Sequence, residues 1–221
     1  MPGEINCLFT KGLIPFVEKE SGPEGVAALC RAAGRSRDYL MADHNWLSLS
    51  VANELVRVAM ELVGETDVER WTRRLTDDMM EWKPSREYRH YLGTYSMGIG
   101  NPRDLYERQA GMAPAVERFC RFELVVMRRR QVTFRRTPGA GYTMPRWFCV
   151  WENVKWERFP TNWGLPRATV VERQCARLYR RDRGAFTCRS TPHHTCLGIL
   201  PAGTHILIPI FGIPGTATVL P

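Results

Sequence analysis

The hydrophobic period of this chain first changes near residue 120, and that change limits the fold more than any single motif. Before it, apolar residues recur every three or four positions: Val51, Leu55, Val58, Ala59 and Leu62 form one such stripe. That spacing gathers apolar side chains on one face of a helix. After it, "RFELVVMRRRQVTFRR" (121–136) is rich in Val, Phe and Leu and alternates from Gln131 onward. Alternation sends successive side chains to opposite faces of a strand. A helical N-terminal half followed by antiparallel strands with a packed long helix is an α+β chain.

Caps and breakers set the predicted element ends. "CLFTKGLIPFVEK" (7–19) predicts a first helix, and Gly22-Pro23-Glu24 opens a second that runs to Gly34. Ser48 or Ser50 caps the next helix, which Gly64 closes. Thr66 and Asp67 start another through Trp71, Leu75, Met79 and Met80, and Lys83-Pro84 breaks it. Residues 88–102 predict a helix ending in a glycine-rich turn, Asn101-Pro102 caps a short helix, and Ala113 to Phe119 would form one more. Past the strand pair, 138–141 form a turn and Pro145 starts a helix bearing Phe148, Trp151 and Lys155 along one side. Phe159-Pro160 ends it. Gly164-Leu165-Pro166 turns the chain, and "ATVVERQC" (168–175) reads as a strand.

The chain has 221 residues, 44% of them hydrophobic, enough for one domain or a domain with an appendage. Its net charge of +8 gathers in two arginine knots, Arg128-Arg129-Arg130 with Arg135-Arg136, and Arg177, Arg180, Arg181 and Arg183. No Gly-aromatic or zinc-finger spacing accompanies them, so they read as a solvated face and direct nucleic-acid binding is not expected. Seven cysteines without dense spacing, and a start (Met1-Pro2-Gly3-Glu4) lacking a charged-then-apolar leader, point to a reducing, cytoplasmic compartment. From Ser190 to Pro221 there is no charged side chain and there are five prolines. "HILIPIFGI" within it is nine residues long, where a span needs about twenty. Residues 1–176 are therefore expected to form the domain, and 177–221 a basic, then uncharged and proline-rich, poorly ordered tail.

No phosphate-binding loop, nucleophile elbow or hydrolase triad is legible, so no catalytic residue is assigned. Trp147, Trp151, Trp156 and Trp163 crowd around Cys149. They read either as a core-facing aromatic helix or as the wall of a small-molecule cavity, with Trp147 and Trp151 as its lining. Cys149, Glu172 and Cys175 are spaced Cys-x22-Glu-x2-Cys. Thiolates and a carboxylate suit zinc, but two cysteines and a glutamate at that separation also arise by chance.

"CVWENVKWERFPTNWGLPRATVVERQC" (149–175) resembles the end of the 4-vinyl reductase domain, which also forms the sensory module of bacterial activators of aromatic catabolism. The resemblance implies a ligand-binding sensory module of signal transduction or transcription regulation. It would bind a small apolar or aromatic molecule, act as a homodimer and signal to an output kinase or activator domain that is not legible in this chain. It also implies a structural zinc on Cys149, Glu172 and Cys175. The fourth ligand departs from the family: Arg183 stands where its last cysteine belongs, so either Cys188 closes the site or the pattern stops near Ala176. A tetrapyrrole vinyl reductase or accessory factor is the enzymatic alternative, and a dimerising scaffold the structural one. The layout is distantly similar to haem nitric-oxide-binding sensors as well. Because 101–119 carries no histidine, no haem is expected.

Overall fold

The computed structural model describes residues 3–81, 101–128, 131–174 and 204–209. Helix α1 (Leu8–Ala33) carries both of the first two expected helices, broken at Gly22, whose φ of 67° lies outside the helical region. The left-handed Gly34 ends it. α2 (Arg37–Met41) follows a Ser36 cap. α3 (Leu49–Leu62) begins where the Ser48 hydroxyl accepts from the Val51 amide at 3.2 Å. α4 (Val68–Glu81) begins where one Asp67 carboxylate oxygen accepts from the Glu69 and Arg70 amides. Asn101 caps α5 (Pro102–Met112) through the Asp104 amide at 3.1 Å. The helix expected at 88–102 falls mostly outside the described residues.

The helix expected at 113–119 is only a 3-10 turn, Ala113–Ala115. Its backbone is claimed from across the chain. The short strand β1 (Ile5–Asn6), itself paired with β2 (Trp46–Leu47), takes the Val116 carbonyl through the Asn6 amide at 2.8 Å. The Arg118 amide donates to the Glu4 carbonyl at 2.8 Å, and Ile5 bridges Glu117. Residues committed to strand-like pairing cannot also close helical turns.

β3 (Cys120–Arg128) and β4 (Gln131–Pro138) form the expected hairpin, with a bulge between Leu124 and Val126. The sheet continues through β6 (Thr204–Pro209) to β5 (Val171–Gln174), all antiparallel, in the order β3-β4-β6-β5. Thr204–Pro209 was expected within a poorly ordered tail, yet it is a strand inserted between two others. Its Ile206, Ile208 and Leu207 are in register with Phe134, Val132 and Thr133. β-branched residues at alternate positions suit a sheet interior whatever the charge of the flanking chain.

α6 (Arg146–Arg158) is the central element. Residues Trp147 to Val154 and Trp156 are all buried, so the helix is covered on every side. Its first face meets the helical layer: Phe9 packs on Trp147 at 4.8 Å and on Trp151 at 5.6 Å between ring centroids. Its second face meets the sheet: Trp156 stacks on Phe134 at 4.9 Å and lies 5.4 Å from Tyr106 of α5. Two apolar clusters result, one among α1–α4 and the start of α6, the other between α5, the sheet and the end of α6. No helix among the described residues is long and apolar enough to cross a membrane.

Candidate functional site

Period-2 alternation along β4 sends Val132, Phe134 and Arg136 to the inner face of the sheet. All three are buried, at 0%, 0% and 1% exposure. A buried arginine on an apolar face demands an explanation, because its desolvated charge is costly unless matched. The Arg136 guanidinium lies between the two aromatic clusters, 5.9 Å from the Phe122 ring and 5.6 Å from the Phe148 ring. Its Nε, Nη1 and Nη2 all lack a hydrogen-bond partner among the described residues. Burial works against its charge. Glu152, Cys149, Glu117 and Cys120 outweigh that and hold it protonated.

These neighbours come from α6, from β3 and from the segment just before β3. Glu152 of α6 is 1% exposed and accepts from Lys155 one turn on. Glu117, 5% exposed, sits before β3 and accepts from the Cys120 thiol at 3.7 Å. Burial first, and Glu152 second, push the Glu117 carboxyl up to about 7. Burial and then Glu117 push the Cys120 thiol up as well, so it is not a poised nucleophile. The arrangement is a buried arginine with two buried carboxyls, Glu117 and Glu152, and a partly exposed Lys155 beside them; Phe122 and Phe148 flank the guanidinium, whose forked donor is unpaired among the described residues. A guanidinium in that state suits the two oxygens of a carboxylate.

The residues singled out from the sequence are placed differently. Trp147 and Trp151 share the α1 side of α6, 5% and 4% exposed. The Trp147 indole donates to Asn53 Oδ1 at 2.8 Å. Cys149, 2% exposed, belongs to the same helical cluster. Glu172 Oε2 accepts from Arg146 Nη1 at 2.6 Å, and Arg146 also donates to Glu69 at 2.7 Å, so one guanidinium joins β5, α6 and α4. Cys175 and Cys188 lie outside the described residues. The expected structural zinc is therefore corrected. The carboxylate meant as a ligand is engaged by a guanidinium, and no group of three or more His, Cys, Asp or Glu suited to a metal is found among the described residues.

The Arg136 set was missed because Arg135-Arg136 reads as part of a solvated basic knot. The signal was present: the alternation that makes β4 a strand also fixes which of the two arginines points inward.

No protein-family model matches the chain, and no curated protein matches it. The 4-vinyl reductase resemblance thus stands on its motif alone. Solved structures do match in fold. An oxygen-binding H-NOX domain related to soluble guanylate cyclases superposes with a TM-score of 0.57 at 8% identity, covering 96% of this chain and 100% of that one. The Fe(II) unliganded H-NOX protein from K. algicida gives 0.54 at 10% identity, over 96% and 99%. An H-NOX family structure that probes haem distortion gives 0.55 at 8% identity, over 96% and 100%. The fold is that of H-NOX domains. The expectation of no haem is corrected by the same likenesses, because the proteins of this fold include ones described by their haem. Absence of a histidine from one helix was too narrow a ground.

Proposed function

We propose that this chain is a ligand-binding sensory domain of signal transduction. Its ligand is a flat, largely apolar molecule carrying an acidic group. Arg136 would grip the acid, and Phe122 and Phe148, whose rings lie 5.9 and 5.6 Å from its guanidinium, would wall the body; Trp147 and Trp151 would back that wall from the helical side of α6. The observation that carries this reading is the buried guanidinium whose three nitrogens lack hydrogen-bond partners among the described residues. The shared fold supports a sensor over an enzyme, as does the lack of any nucleophile or hydride-binding motif in the sequence. The sensory unit would be residues 1–176 together with the Thr204–Pro209 strand that completes its sheet, working as a homodimer that reports to a separate output domain.

Haem is the first ligand to test, since it is flat and apolar with acidic side chains at its edge. The described residues fit two of its three needs. Arg136 suits the acidic edge, and the aromatic rings suit the macrocycle. As for an axial ligand, the described His44 is exposed, and His90 lies outside the described residues. When bound, haem would supply a redox-active iron with an open position for a small ligand. The chain's own part would be to exclude water with Phe122 and Phe148 and to neutralise the acid with Arg136. Sensing requires that the ligand hold two arrangements of the domain unequally.

The test is titration of the full chain with haemin, metal-free protoporphyrin and benzoate, read by absorbance, fluorescence and thermal shift. The reading expects saturable binding of at least one probe, weakened more than tenfold by Arg136→Met with the fold retained. Failure of all three probes, or equal binding by Arg136→Met, overturns it.

A further inference from the structure

We propose that the free edge of β3 pairs antiparallel with the same edge of a second copy of this chain, about a two-fold axis between Val125 and Val126, so that the two sheets become one. This rests on the homodimer of the reading above and names its interface.

The sheet has two outer strands, and they differ. β5 is four residues long, and its Glu172 is held by Arg146. β3 is nine residues long, with the uncharged run Leu124-Val125-Val126-Met127 at its middle. Among the described residues β3 pairs with β4 alone. Its other edge therefore offers open backbone N–H and C=O groups, on which an added strand can build. Val125, in the middle of that edge, is 40% exposed.

The stretch from Glu123 to Arg128 is complementary to itself when run antiparallel. About the proposed axis, Glu123 of one copy faces Arg128 of the other, Leu124 faces Met127 and Val125 faces Val126, and each pair occurs twice. A two-fold interface requires such self-complementarity. In a regular strand this register would fail. Glu123 and Arg128 hold an odd and an even position, so their side chains would point to opposite faces. The bulge between Leu124 and Val126 removes the conflict, because it leaves Val125 without a partner on β4. Glu123 is then in register with Arg135 and Arg128 with Gln131, both on the outer face of the sheet. Leu124 is in register with Phe134 and Met127 with Val132, both on the inner face. The packing of Leu124 and Met127 against the sheet-side apolar cluster agrees. Residues brought opposite one another thus share a face, as cross-strand pairs must.

The end charges are open to the second copy. Arg128 is exposed and has no ion-pair partner among the described residues. Glu123 gives Oε1 to Arg121 at 3.0 Å, but that arginine is 78% exposed, and an exposed pair of this kind binds weakly. The other carboxylate oxygen can accept from Arg128 of the second copy.

The experiment is sedimentation of the full chain over a concentration series, with circular dichroism to confirm the fold of each variant. Wild type should dimerise. Glu123→Arg or Arg128→Glu turns both end pairs from attraction to repulsion, and each should weaken the dimer by about tenfold or more. Mixed one to one, the two variants should dimerise with each other as tightly as the wild type, because every end pair across the mixed dimer again joins an acid to an arginine. Variants that self-associate like the wild type, or a mixture no tighter than either variant alone, overturn this interface and leave the homodimer standing. A wild type that stays monomeric up to its solubility limit overturns the homodimer too, and leaves ligand binding at Arg136 to its own titration.

Discussion

The two faces of α6 solve the burial problem in opposite ways. Toward the helices, Phe9, Leu13, Ile14, Phe16, Leu55 and Trp71 fill the interior almost wholly with hydrocarbon and rings, each at 1% exposure or less. Toward the sheet, an equally dry space contains Arg136, Glu117 and Glu152. Hydrocarbon in the first region gains from leaving water. Charge in the second loses by it, and mutual attraction recovers that loss only where hydrogen bonds complete the geometry. Three guanidinium nitrogens of Arg136 lack such bonds among the described residues.

The comparison can be broken at its strongest point first. Phe16→Ala in the helical region should cost about 3–5 kcal/mol, because the ring is 1% exposed and packs edge-on to Trp71 at 6.3 Å. Urea unfolding at constant m-value checks it, and a loss no larger than that of a surface substitution would mean the helical region is not the main source of stability.

A second test belongs to the charged region. Folding raises the Glu117 pKa from the ordinary carboxylate range to about 7. The folded state therefore keeps a proton that the unfolded state has released, and stability falls as pH rises through that interval. The wild type should lose on the order of 2–3 kcal/mol between pH 4.5 and pH 7 from this group. Glu117→Gln should remove that part of the slope, while Phe16→Ala should leave it in place. Parallel pH–stability curves for wild type and Glu117→Gln would show that the buried carboxyl does not titrate as described.

Smaller effects sharpen the boundary between the regions. Arg146→Met frees Glu172, whose other oxygen already lacks a hydrogen-bond partner among the described residues, and should cost about 1–2 kcal/mol. A double-mutant cycle with Glu172→Gln should recover part of that loss, and strict additivity would show that the joint between β5 and α6 is not energetic. Ser48→Ala removes one amide partner at the start of α3 and should cost about 1 kcal/mol with no change in pH dependence. Calorimetric melting checks both.

Much of this architecture was legible along the chain because it depends on neighbours. Helix starts at Ser48, Asp67 and Asn101 are local hydrogen bonds between residues two or three apart. The break at Gly22 and the end at Gly34 follow from backbone freedom at positive φ. The β3–β4 hairpin follows from alternation. The 113–119 segment was misread because the competing partner, β1, lies over a hundred residues away. The Thr204–Pro209 strand was obscured by its flanks, since absence of charge describes composition and says nothing about which strands offer an open ladder. Glu172 looked like a metal ligand for the same reason: a carboxylate's spacing to a thiol is visible in sequence, but its guanidinium partner 26 residues upstream is not.

The sequence by itself determined the α+β order, the caps and breaks and the β3–β4 hairpin, because hydrophobic period and turn chemistry act over a few residues. Only the tertiary structure decided what meets across the domain. It gathered Glu117, Cys120, Arg136, Cys149 and Glu152 from three separate stretches into one desolvated set, and it gave Glu172 to Arg146. Charges separated along the chain stay independent in water. They become one site only when folding removes the water between them.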